Sequence, residues 1–279
     1  MIAIGLSLAA CLGWGIADFL GGLKSRQLPT ITVLVLSNMI GITVIGLIVG
    51  LRGEALPGNP ALLWAVAGGI AGIAAMLMLY QGLAVGSMSI IAPISATGVI
   101  LPVILGIATG DTLSVTQKLG IASAMFGSVL AGMENGRNNQ GKQLAEGVEF
   151  AVAAAVAIGL YFIVMAQASK ADPYWATFIM RLSFAIFLVP MVIKVRPALR
   201  IKRFHMPAIM VMGTVDALAS VAFALATTMG MLSLVSVVGA LYPAITIFLS
   251  VLILRERIQK TQIAGVLLAI TGVVLISAA

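Results

Sequence analysis

Long apolar runs alternate with short polar breaks along the whole chain. A helix that crosses a bilayer needs about 20 mostly apolar residues. Reading from break to break predicts ten such helices, over 2–23, 31–51, 61–84, 87–108, 116–133, 147–169, 174–194, 207–229, 232–254 and 261–278. The breaks hold most of the charge and many prolines: "KSRQLPT" (24–30), "RGEALPGNP" (52–60), "GDTLSVTQK" (110–118), "KADP" (170–173), "RPALRIKRFHMP" (196–207) and "RERIQK" (255–260). The longest polar insert, "ENGRNNQGKQLAE" (134–146), falls near the middle of the chain. The junctions at 85–86 and 230–231 are short enough to make close hairpins of the spans they join. The predicted fold class is an all-α integral membrane protein with ten transmembrane helices.

Composition agrees with lipid as the solvent. Hydrophobic residues make up 61% of the chain and charged residues 9%, with a mean hydropathy of +1.15. A soluble domain carries about 25% charged residues, so this chain could not cover itself with a water-facing surface. The net charge of +7 is thinly spread and aromatics are only 6%. That argues against nucleic acid as a partner and for loops facing an anionic leaflet of the cell membrane. One cysteine rules out an intramolecular disulfide framework, and one histidine, His205, argues against a His/Cys metal site. "LAAC" (8–11) resembles a lipoprotein cleavage box. However, no basic region precedes it, and the apolar run continues well past Cys11, so the segment is expected to stay as the first helix.

The two halves of the chain repeat each other. A shift of 145 lays "TQKLGIASAMFGSVL" (116–130) on "TQIAGVLLAITGVVL" (261–275), matching Thr116 with Thr261, Gln117 with Gln262, Gly120 with Gly265 and Gly127 with Gly272. A shift of 144 matches Gly15 with Gly159, Ser25 with Ser169 and Pro29 with Pro173. The expected organisation is a first five-helix repeat over 1–133, a polar linker over 134–146 and a second repeat over 147–279. An odd number of crossings per half inverts the second half relative to the first. Secondary transporters use such inverted repeats to reach two related states around a site near the midplane. With both halves in one chain, a monomer is expected. Loops after odd-numbered spans hold twelve Lys and Arg residues, against Arg52, Lys118 and Lys170 on the other side, which puts both termini outside.

Three features resemble a known family. They are the two five-span halves, "WGIADFLGGLKSRQLP" (14–29), and the closing pattern "YPAITIFLSVLILRERIQKTQIAGVLLAITGVVLI" (242–276). All three resemble the ten-helix EamA-type branch of the drug/metabolite transporter superfamily. The resemblance implies an alternating-access carrier with a central cavity lined mainly by helices 1, 3, 4, 6, 8 and 9. Its members move amino acids, sugars, nucleotide-linked metabolites or drugs, mostly outward. The first half departs from the pattern, with Gly98 where the second has Pro243.

Three charges lie well inside predicted spans, away from the span ends: Asp18, Arg181 and Asp216. A charge at a helix centre costs roughly 2.5–3.5 kcal/mol on insertion scales, so it faces the protein interior or a wet cavity. Their repeat counterparts, Phe162, Ser37 and Ala71, are uncharged. A structural ion pair, of Arg181 with Asp216 or Asp18, stands beside a substrate or proton site as the reading of these residues. Burial favours the neutral form of a carboxyl group in general, so proton coupling through Asp18 or Asp216 is considered, and no cofactor is expected. An always-charged guanidinium relays no protons, so Arg181 is a structural charge or a partner for a substrate carboxylate. Trp14, Tyr80, Gln81, Tyr161, Gln167 and Tyr242 suit an organic substrate through ring faces and polar tips. Tyr80 and Gln81 stand near a span end, where an interfacial anchor is the competing role. Pro93, Pro102 and Pro243 are expected to bend helices, as static kinks or gate hinges.

No metal-protease, phosphate-binding or nucleophile-elbow motif is present, so no catalytic residue and no metal ligand is proposed. The leading expectation is a secondary carrier exporting small organic metabolites, with amino acids or related compounds first and drugs second. An importer of sugars or other metabolites is the alternative within the class. An intramembrane lipid-modifying enzyme built on Asp18 and Asp216, or a non-transporting membrane sensor, is the alternative outside it.

Overall fold

The computed structural model describes residues 1–86, 88–131, 141–254 and 260–278, which are helical with short connections and contain no strand. The helices are α1 Ile2–Ser25, α2 Thr30–Arg52, α3 Leu63–Val85, α4 Met88–Ala96, α5 Ile100–Ala108, α6 Val115–Ala131, α7 Gly141–Ser169, α8 Pro173–Val195, α9 Met206–Met229, α10 Leu232–Gly239, α11 Tyr242–Leu254 and α12 Lys260–Ala278. Among the described residues, seven stretches are long and apolar enough to cross a membrane, and Ile94–Ala108 and Ile263–Ile276 are shorter apolar ones. The protein is therefore multi-pass. Residues 134–140 of the polar linker and the "RERIQ" turn at 255–259 lie outside the described residues.

Local chemistry sets several helix ends. The Asp172 carboxylate accepts from the backbone N–H groups of Tyr174 at 2.9 Å and Trp175 at 2.7 Å, with Pro173 just inside α8. An aspartate cap satisfies orphan N–H groups, and proline at the first helical position loses nothing by lacking one. Gly53 ends α2 in the left-handed region at φ +66°, a conformation most side chains resist.

The fourth and ninth predicted spans are each broken. α4 and α5 are separated by the 3₁₀ turn Thr97–Val99, and α10 and α11 by Ala240 and Leu241. Pro102 and Pro243 do not bend the middle of continuous helices. Each sits in the first turn of the helix after a break, where a missing N–H costs little. The side chain of Pro93 lies outside the described residues.

Packing pairs up under the sequence repeat. α1 lies on α9 as α7 lies on α3, α2 lies on α9 as α8 lies on α3, and α6 meets α12 directly. A Cβ on Gly15 would come within 2.8 Å of the Tyr242 carbonyl at the second break. A Cβ on Gly159, its repeat counterpart, would run into the Gly98 carbonyl at the first break. In the α6–α12 seam a Cβ on Gly120 would lie 2.8 Å from the Gly272 carbonyl and one on Gly127 2.7 Å from the Gly265 carbonyl. Water does not drive helices together in lipid, so backbone-to-backbone approach at small residues supplies the contact.

Candidate functional site

The buried charges Asp18 and Arg181 meet at one cavity. Trp14 and Asp18, one helical turn apart on α1, face a cavity of about 60 Å³. Gly72, Ala75, Met76 and Leu79 bring a stripe of α3 to it, and Ile158, Tyr161 and Phe162 a stripe of α7. α8 adds Met180, Arg181 and Phe184, α9 adds Asp216 and Ser220, and α11 adds Tyr242 at its first residue. Both halves of the chain therefore line the cavity.

Its charges are unevenly matched. Arg181 Nη2 donates to Asp216 Oδ2 at 2.8 Å and to Ser220 Oγ at 3.1 Å, and the Ser220 hydroxyl donates to the Asp216 carbonyl at 2.9 Å. Arg181 is 4% exposed, and its Nε finds no hydrogen-bond partner. A Cβ on Gly41 would stand 2.6 Å from Nη1, so this glycine opens the seat the guanidinium occupies against α2. Asn38 Nδ2 donates to the Arg181 carbonyl at 3.2 Å and ties α2 to the same turn of α8. Asp18 is as buried as Arg181, yet among the described residues its carboxylate receives only the Tyr80 hydroxyl, at 3.5 Å. With the three groups ionised, the cavity carries one uncompensated negative charge.

Aromatic rings form one wall. Trp14 stacks on Phe162 with centroids 5.5 Å apart, Phe162 on Phe223 at 4.6 Å, and Tyr161 meets Trp14 edge-on at 6.4 Å. The Tyr242 hydroxyl shares a 3.0 Å hydrogen bond with Ser95 Oγ, which joins the two broken spans behind this wall.

The sequence candidates divide accordingly. Trp14, Asp18, Tyr161, Arg181, Asp216 and Tyr242 meet at the cavity. Tyr80 is 1% exposed and points at Asp18 rather than at an interface, because Gly21 lets its ring approach α1, where a Cβ would be 2.8 Å from its hydroxyl. Gln81 and Gln167 are half-buried and do not line the cavity. Ser220, Phe162, Phe184 and Met180 were not singled out from the sequence. Ser220 was legible in principle, one helical turn after Asp216. Among the described residues no three His, Cys, Asp or Glu side chains come together as a metal site.

The family model of the EamA-like transporter family matches residues 1–133 and again 145–278, nearly the whole chain in two passes. The chain belongs to the EamA-like transporter family. A solved protein crystal structure superposes on this family member with a TM-score of 0.74, covering 97% of this chain and 96% of that one at 16% identity. At that identity the likeness shows the fold alone. No curated protein matches the sequence. The EamA assignment makes the chain a membrane transporter by family, and leaves its cargo to be argued from the cavity.

Contacts at one end of this EamA bundle also join the halves. Arg52 Nη1 meets Asp172 at 3.2 Å, and its guanidinium lies 4.0 Å from the centre of the Tyr174 ring. Asp111 Oδ2 accepts from the Ser233 backbone N–H at 3.0 Å and from its hydroxyl at 2.7 Å, capping α10 from the other half.

Proposed function

We propose that this protein is a secondary active carrier that works by alternating access and exports small organic metabolites, amino acids or related compounds first and drugs second. The observation that carries this reading is the buried cavity of Asp18, Arg181 and Asp216, walled by aromatic rings and lined from both halves of the chain. Ionisable groups inside a membrane bundle are costly, and mark substrate or ion pathways. On this reading the chain crosses the cell membrane ten times, in two inverted repeats over 1–133 and 147–279 joined by the linker 134–146. It acts as a monomer with both termini outside, catalyses no reaction and needs no cofactor.

Each feature of the cavity has a role in that cycle. Arg181 and Asp216 neutralise each other and hold α8 to α9. Asp18 is free to take the ammonium group of an amino acid or amine drug, or a proton in its place. The rings of Trp14, Tyr161 and Tyr242 offer faces to that cation or to an apolar side chain. A ligand pocket usually encloses about 300 Å³ or more, well above the 60 Å³ here, so helices must separate to admit cargo. The repeat-related close contacts of Gly15 at one break and Gly159 at the other would give the two halves matching places at which to part.

The test is counterflow in proteoliposomes with labelled amino acids, sugars and quaternary amines. At least one class is expected to exchange, and silence from all of them overturns the carrier reading. In the same vesicles Asp18→Asn is expected to cut pH-driven accumulation at least tenfold while the protein elutes as the wild type does in size-exclusion chromatography. Unchanged proton coupling in Asp18→Asn would remove that residue from the cycle.

A further inference from the structure

A second and larger space lies away from the central cavity. It encloses about 770 Å³ between α5, α6 and α10, and its lining is apolar apart from Thr97 and Lys118. Its rim is surface rather than core: Ile100 is 42% exposed, Ile107 51% and Phe126 63%. In a membrane bundle such a rim faces lipid.

Lys118 gives the groove polarity. It stands in the first turn of α6, directly after the polar connection at 109–114. Among the described residues its ammonium has no ion-pair or hydrogen-bond partner. Its counterpart in the second repeat is the apolar Ile263, so the shared architecture does not require this charge. From Lys118 to Val129 at the far end of the groove, α6 rises about 16 Å. One leaflet's hydrocarbon layer is about 15 Å thick. A cation at the head end and an apolar trough as long as one leaflet match the two parts of a single lipid.

We propose that this groove is a binding site for an anionic phospholipid, with its phosphate on Lys118 and one acyl chain laid between α5, α6 and α10. An ammonium against phosphate makes a charge-assisted hydrogen bond. Ala96, Thr97 and Val99 from the first break and Val237, Ala240 and Leu241 beside the second form the floor of the groove. A bound chain therefore touches both helix breaks at once. The proposal does not rest on the transport reading.

Phe126→Trp places a reporter at the rim, and brominated acyl chains quench tryptophan only on contact. The protein would be reconstituted in bilayers containing brominated phosphatidylglycerol or brominated phosphatidylcholine. The measured quantity is the quenching added by Phe126→Trp over the three native tryptophans. Half-maximal added quenching is expected at a severalfold lower mole fraction of the glycerol lipid. Lys118→Gln should remove that difference and Lys118→Arg keep it. Both substitutions are at an exposed position and spare the fold. Equal curves for the two headgroups, or a preference that survives Lys118→Gln, would overturn the proposal. So would a reporter that neither lipid reaches, which would mean that protein covers the groove.

Discussion

Arg181→Met should destabilise the protein by about 3 kcal/mol, and adding Asp216→Asn should restore it to within about 1 kcal/mol of wild type. Removing one partner of a buried pair leaves the other charge uncompensated, which typically costs about 3–5 kcal/mol, whereas neutralising both together is often tolerated. The lower end applies here because the Asp216 side chain keeps 25% of its exposure while that of Arg181 keeps 4%. Ser220 softens the loss only slightly, since its hydroxyl donates to the Asp216 backbone carbonyl and leaves the carboxylate unbonded. Methionine replaces the arginine stem, so only the guanidinium's seat against Gly41 is vacated and a cavity is not the main term. Unfolding titrations of the purified protein in mixed micelles would give the single and double variants on one scale. Equal losses in both would show that the pair is packing rather than charge compensation.

The same chemistry explains what could be read from the sequence. Helices were legible because lipid demands a long apolar run and places the polar breaks in water, so the bounds of α1, α2, α8 and α9 fall within a residue or two of expectation. The two breaks were not legible. Apolar residues continue through "ISATGVILP" and "VVGALYP", and a hydropathy reading treats each stretch as one helix. Gly98 aligned with Pro243 was the available signal, and it reads as a kink until the backbone shows a discontinuity. The charged site was legible because a charge is rare in such a span and must face inward. The direction of Tyr80 was not, since a helix apolar all round shows no polar face from which to read its rotation. It is Gly21, on another helix, that draws Tyr80 to Asp18. Gln81 and Gln167 illustrate the converse, as polar residues in a span that do not line the cavity.

Gly98→Ala should be the most damaging glycine-to-alanine change among the described glycines. A Cβ there would press into the Ala155 carbonyl oxygen and lie 2.7 Å from the carbonyl carbon and 3.0 Å from Cα. All three atoms belong to the backbone of α7, so no rotamer change can relieve the contact. The 3₁₀ turn Thr97–Val99 must withdraw from α7 instead, and the Gly98 carbonyl, which Gly159 admits one turn further along the same helix, must move with it. Overpacking of a tight interior costs about 1–3 kcal/mol when side chains can yield, and here only backbone is available, so a loss of about 3 kcal/mol is expected. Gly72→Ala is the internal control: its Cβ would meet Phe184 at an ordinary 3.4 Å, on the wall of the central cavity. Gly58→Ala, with open space around it, is the external one. Thermal ramps followed by size-exclusion chromatography should show Gly98→Ala losing its monodisperse peak well below the temperature at which both controls do. If it melts with them, the first break is not held against α7.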